Sequence, residues 1–218
     1  MTTSTIGFIG GTGPEGRGLA LRFALAGLKV IIGSRDEERA NEAVAKIADK
    51  APPGSITGAL NDPVAANADV VFIAVPYAGQ RPTLESLGSR LNGKLVVTVV
   101  APVTFNGGVA SALSVPEGSA ALQAASLLPN ARVAAAFHNV AARDLLRPDA
   151  TVDSDVFVFS DDEQTTAEVS ELTALIPGAR AINGGGLVNS RYAEDLTALL
   201  MNINRIHKAH TSIRITGI

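Results

Sequence analysis

The chain has 218 residues, a formal net charge of −3, 46% apolar and 18% charged side chains, and no cysteine. That is ample apolar material for one sizeable α/β core, and the mildly acidic balance excludes the basic footprint of a nucleic-acid or anionic-membrane binder. Absent cysteine removes thiol catalysis, disulfides and thiolate metal sites.

Three histidines without His-x-x-His or Glu-x-x-His spacing speak against a metal held by the protein. Scarce aromatic residues argue against a stacking platform for single-stranded nucleic acid. No basic segment precedes the first apolar run, and no stretch nears the ~20 apolar residues of a spanning helix. A soluble, cytoplasmic protein is expected.

In chain order, "TIGFIG" (5–10) reads as a buried strand and "PEGRGLALRFALAG" (14–27) as a helix with Leu19, Ala20, Phe23 and Ala24 on one face. Gly27 followed by Leu28 is a left-handed helix stop. "LKVIIG" (28–33) is the second strand, and "RDEERANEAVAKIADKA" the next helix, with Asp36 as its N-cap. "DVVFIAVP" (69–76), "GKLVVTVVAPV" (93–103) and "ARVAAAF" (131–137) repeat the theme. Such runs lack polar alternation, as strands covered on both faces do. With helices between them, the expected fold is α/β, a Rossmann-type doubly wound parallel sheet.

After residue 138 the pattern changes. "DVFVFSDD" (155–162) and a helix near 163–175 continue the α/β character, then a glycine-rich loop leads into a long final helix. Leu196, Leu199, Leu200, Ile203 and Ile206 form its apolar stripe, which suits either a core or a second subunit. A division into residues 1–138 and a small C-terminal α/β part, 139–218, is expected.

"GGTGPEGRG" (10–18) joins the first strand to the first helix, and Gly11, Gly13 and Gly16 satisfy Gly-x-Gly-x-x-Gly spacing. In dinucleotide-binding loops these glycines serve a tight turn, a close approach of backbone to pyrophosphate, and helix–strand packing. Helix N–H groups then hold the anion. The second strand must deliver the ribose-binding residue about 20 residues on. There the chain offers Ser34, Arg35 and Arg39 in place of an acid. A hydroxyl and two guanidiniums suit the 2′-phosphate of NADP, where a carboxylate would select NAD. The bland alternative pairs both arginines with Asp36, Glu37 and Glu38.

Ligands of open α/β sheets sit at the carboxyl ends of the strands. The segments there are "VPYAG" (75–79), "APV" (101–103) and "FHNVAARD" (137–144). The first two read as apolar walls for a nicotinamide ring. His138 either orients a carboxamide, supplies a proton, or is a satisfied loop histidine. Little acid–base equipment accompanies it, which fits hydride transfer between two stacked rings, where positioning supplies most of the acceleration.

"GFIGGTGPEGRGLALRFALAGLKVIIGSRDEERA", "AFHNVAARDL" and "GGGLVNSRYAEDLTALLMNINR" together resemble the F420-dependent NADP reductase family, nearly end to end. The resemblance implies an NADP-binding Rossmann domain, a small C-terminal domain, a homodimer, and reversible hydride transfer between C5 of the deazaflavin coenzyme F420 and C4 of nicotinamide. It implies that Thr12, Gly13, Pro14 and Glu15 contact the NADP phosphates, with Ser34, Arg35 and Arg39 on the 2′-phosphate. Val75, Tyr77, Ala101, Val103 and Ala142 are implied along NADP, and His138, Val140, Arg191 and Thr197 around the stacked rings. Val140 stands where isoleucine is familiar, and Asp195 where serine is. Arg191 opposes the helix dipole at the start of the final helix, which suits an anionic ligand. For the acidic tail of F420, Arg81, Arg90, Lys94, Arg205 and Lys208 are candidates. Two other readings stay open: an NADPH-dependent reductase of flavin or ferric complexes, and an NADP-sensing module without catalysis.

Overall fold

The computed structural model describes residues 4–218. Six parallel strands form its central sheet: β1 (Thr5–Ile9), β2 (Lys29–Ser34), β3 (Ile56–Leu60), β4 (Val70–Ile73), β5 (Leu95–Thr98) and β8 (Arg132–Ala135), in the order β3-β2-β1-β4-β5-β8. Two short strands intervene before β8: β6 (Val103–Asn106) and β7 (Val109–Ala112) pair as an antiparallel hairpin. Beyond β8, the parallel pair β9 (Ser154–Val158) and β10 (Ala179–Asn183) is joined to the sheet by one antiparallel bridge, Ala135 to Phe159. The order turns outward in both directions from β1 and β4, the crevice where doubly wound sheets take ligands.

Strand alternation divides the core into two layers. Ile6, Phe8, Val30, Ile32, Phe72 and Val97 point to the face covered by α1 (Pro14–Leu25), α2 (Glu37–Ala45), α6 (Ala142–Leu145) and α7 (Glu163–Ala174). Ile9, Val71, Ile73 and Val96 point to the opposite face, under α3 (Asn61–Asn67), α4 (Tyr77–Leu87) and α5 (Ala120–Leu127). Both faces are covered, which is why these strands read as unbroken apolar runs. Val152, Val156, Val158 and Val169 belong to the first layer, so the apolar core runs on past residue 138.

Local signals hold at the element ends. Gly27 lies at φ +89°, with its N–H on Ala24 O and Leu28 N–H on Phe23 O, the double bond of a Schellman stop. Asp36 caps α2 by accepting from the amides of Glu38 and Arg39. That helix ends at Ala45, short of the expected span, and a 3-10 turn at Ala48–Lys50 follows.

Two expectations change. The segment 93–103 is not one strand: β5 stops at Thr98 and the chain turns out into the hairpin, whose loop residues Gly107 and Gly108 both take positive φ. A two-residue loop needs that backbone, and glycine supplies it without strain. The stripe of the final helix, α8 (Ser190–His207), is only partly covered. Leu200 is buried beside Ala193 and Ala198, whereas Leu199 and Ile206 are 54% and 63% exposed. The buried face also carries Glu194, whose carboxylate accepts from the Ala120 and Ala121 amides that open α5. Burial pushes that carboxyl above its ordinary range, against the pull of the amides.

Candidate active site

The glycine loop is built to shape. A Cβ on Gly11 would lie 2.5 Å from the Phe8 side chain, and one on Gly16 2.7 Å from Gly11 backbone, so neither position admits a side chain. Gly13, by contrast, faces open space. It is the N-cap of α1, where no side chain caps the helix, and Pro14 fills the first turn with a residue that lacks an amide proton. The free amides and the positive end of the helix therefore front an open surface, the arrangement that binds an anion.

At the end of β2, Ser34 is buried, its Oγ accepting from the Asp36 amide. Arg35 and Arg39 are exposed, and neither guanidinium makes an ion pair or hydrogen bond among the described residues. The pairing with Asp36, Glu37 and Glu38 is not seen among the described residues: Asp36 Oδ1 caps the helix, and neither glutamate forms an ion pair with either arginine. Two unpaired cations thus stand beside the second strand.

A cavity of about 600 Å³ opens at the carboxyl edge of the sheet. It is lined by Thr12, Gly13, Pro14 and Glu15 of the glycine loop and the start of α1, by Val75, Tyr77, Ala101 and Val103, by His138, Val140 and Ala142, and by Thr197 and Leu200 of α8. Sequence reasoning missed the contributions of Phe105, Met201, Asn204 and Thr211. The hairpin carrying Phe105 is tied to α8 by the Asn202 side chain, whose Oδ1 accepts from the Ala110 amide and whose Nδ2 donates to the Ala110 carbonyl. Thr197 donates to the backbone carbonyl of His138 at 2.9 Å, strapping α8 to the end of β8. Arg191 and Asp195 are exposed on the outer face of α8 and do not line this cavity, and the Arg191 guanidinium stacks over Tyr192.

The turn into His138 is strained. Phe137 takes φ +68°, an outlier for a bulky side chain. It is held there by burial among Phe23 and Phe72, ring centroids 6.4 and 6.0 Å away. Strain fixed by packing fixes the direction of the next two residues. Asn139 donates to the Asp155 carbonyl at 2.6 Å, while its Oδ1 and both ring nitrogens of His138 are buried without a partner among the described residues. In the cavity lining, Glu15 Oε1 is likewise buried and without a partner among the described residues, and burial pushes that carboxyl up to about 8.

Burial holds the His138 imidazolium down to about 4, so at neutral pH the ring is uncharged, a hydrogen-bonding group and not a cation. A histidine depressed in the folded state lends stability that is complete above its unfolded value near 6.5 and is lost as pH falls toward 4. The full swing is about 3 kcal/mol. His138→Phe, of similar size, is expected to remove that slope, so in urea unfolding the unaltered protein should lose stability relative to the variant as pH falls from 7 to 4.5. Parallel curves would show a ring that protonates freely. Glu15 acts with the opposite sign, its contribution falling as pH rises from 4.5 to about 8, but it is common to both proteins and cancels in the difference.

Comparison with known proteins places this geometry. Residues 5–102 match the family described as "NADP oxidoreductase coenzyme F420-dependent". The F420-dependent NADP reductase of Methanothermobacter thermautotrophicus is 43% identical over 98% of this chain and 95% of its own length. The enzyme of the same name from Methanothermobacter marburgensis is 41% identical, over 98% of each chain. A crystal structure from Arthrobacter sp. FB24, described as a candidate F420-dependent NADP-reductase, superimposes with a TM-score of 0.78 at 26% identity, covering 96% of this chain and 99% of that one. Near-complete coverage at this identity, on a fold with a glycine loop and an edge cavity in the expected places, decides membership: the chain belongs to the F420-dependent NADP reductase family.

Proposed function

We propose that the protein transfers a hydride reversibly between reduced coenzyme F420 and NADP, binding both in the cavity at the carboxyl edge. The observation that carries this reading is the unpaired state of Arg35 and Arg39 beside an uncapped helix N-terminus. Those features fit an adenosine 2′-phosphate at one end and a pyrophosphate next to it. The apolar walls, Val75, Val103, Val140 and Leu200, fit two flat rings stacked face to face. When bound, the two coenzymes supply the hydride donor and acceptor carbons.

The chain's own residues then bind, orient and exclude water. His138 lies in the cavity lining with its ring uncharged, and the Phe137 turn and the Thr197 strap hold its backbone in place. Positioning of this kind supplies the acceleration that hydride transfer needs without a strong acid or base. For the acidic tail of F420, Arg205 and Lys208 are the favoured cations. Both are exposed, follow Asn204 of the cavity lining in the chain, and are free of ion pairs among the described residues. Arg81 is instead paired with Glu117 and Glu85, Arg90 with Asp62, and the Lys94 ammonium with two carbonyls.

Residues 139–218 act in this reading as a small second part that closes the ring end of the site. A homodimer would cover Tyr192, Leu199 and Ile206, and would bring Arg191 and Asp195 to its interface. No helix among the described residues is long and apolar enough to cross a membrane, and the cytoplasm is the inferred compartment.

Mixing the protein with NADPH and oxidised F420, and separately with FMN, tests the reading. Loss of F420 absorbance at least a hundredfold faster than loss of FMN absorbance is expected. Preference for FMN would make it a flavin reductase, and tight NADPH binding without turnover a sensor.

A further inference from the structure

We propose that Asn61 is a positioning residue for NADP, holding the pyrophosphate loop and the 2′-phosphate corner in register with each other. The inference rests on the placement of NADP at the glycine loop and adds a residue to it.

Asn61 opens α3 directly after β3, whose last residue Leu60 pairs with Ser34 of β2. The side chain therefore enters beside the end of β2. It is only 8% exposed, and its Oδ1 accepts from the Gly10 amide at 3.1 Å. Gly10 begins the loop just past the last residue of β1, and its N–H finds this acceptor outside the strand ladder. The same Oδ1 lies against Gly33: a Cβ there would meet it at 2.7 Å and Phe8 O at 2.6 Å. Gly33 in turn accepts from the Gly11 amide at 3.1 Å.

One carboxamide oxygen and one carbonyl thus fasten three chain segments together: the loop that cradles the pyrophosphate, the strand end that presents Ser34 and Arg35, and the start of α3. A dinucleotide that bridges two anion subsites binds well only when their spacing matches its own. A shift of a fraction of an ångström at either end weakens the bridging ligand and leaves each subsite intact. Gly33 serves the same device by leaving room for the tether.

Asn61→Ala removes the acceptor. The expected result is a rise of about tenfold in the KM for NADP, with kcat at saturation and the KM for F420 within twofold of the unchanged protein. The affinity for 2′-AMP, which fills the corner alone, should stay within twofold. Equal weakening of 2′-AMP and NADP, unchanged NADP binding, or a fall in kcat at constant KM would each overturn the proposal. The unaltered protein provides a second measurement should the variant fail to fold. Its Gly10 amide should exchange slowly with solvent before any dinucleotide is added, and rapid exchange would overturn the tether. Failure of the unaltered protein to bind NADP would instead refute the placement of the cofactor.

Discussion

Replacing Arg35 and Arg39 together by alanine is expected to raise the dissociation constant for NADP by about a hundredfold to a thousandfold, with that for NAD changed less than threefold. Each guanidinium is free of protein partners among the described residues, so none of its hydrogen-bonding capacity is already committed. A charge-assisted, bidentate contact with phosphate accounts for about tenfold to a hundredfold in affinity. NAD lacks the 2′-phosphate and loses nothing. The contribution is partly coulombic and exposed to solvent, so the difference between variant and unaltered protein should shrink as salt rises from 20 to 500 mM. Titration by calorimetry with both dinucleotides checks the result. Equal losses for NADP and NAD would show that the arginines support the loop and not the phosphate. Ser34→Glu is the complementary change, placing a carboxylate against that dianion, and should invert the preference.

Arg22→Met is expected to destabilise the fold by about 3–5 kcal/mol. Arg22 is 2% exposed and lies in the last turn of α1. Its guanidinium donates to the carbonyls of Asp144, Leu145, Arg147 and Ala150 at 2.6 to 2.9 Å, and to that of Pro148 at 3.4 Å. Burial pulls its pKa down, opposed by Asp144 and Asp149. Those carbonyls belong to the end of α6 and the loop after it: Asp144 and Arg147 also accept from the Arg147 and Ala150 amides, whereas those of Leu145, Pro148 and Ala150 rely on the guanidinium. Removing the cation leaves several buried acceptors without donors. Denaturant unfolding measures the loss, and a fall in melting temperature of about 10 °C should accompany it. Arg22→Lys should recover less than half, since a single ammonium cannot fan across four carbonyls.

The sheet, the first two helices and the phosphate loop were legible because each is specified within a few residues. Val30 and Ile32, Val71 and Ile73, Val96 and Val97 are buried on both faces and leave no polar alternation to misread. Gly27 and Asp36 mark helix ends by local chemistry. The hairpin at 103–112 was missed because "VVTVVAPVTF" hides its first strand behind β5, although Gly107-Gly108 carried the turn signal. Asn61 carries no motif at all, since its partner lies 51 residues earlier. The Thr197 strap to His138 spans 59 residues and the Asn202 clasp 92, and only tertiary packing brings such pairs together. Arg191 and Asp195 appeared beside Thr197 in sequence, but helical rotation sends them to the outer face. The partial exposure of the α8 stripe had no sequence signature either, because Leu199 and Leu200 are chemically alike and differ only in which way they face.

The Asn202 clasp and the Thr197 strap give vectorial synthesis a meaning here. A ribosome that has delivered the first 140 residues has already emitted the six central strands and the glycine loop, while the wall over His138 still awaits α8. Such a nascent chain also lacks β9 and α7, whose Val156, Val158 and Val169 belong to the first core layer, so that layer is still incomplete. Arrival of the final helix completes the part of the cavity wall that Thr197 and Leu200 supply.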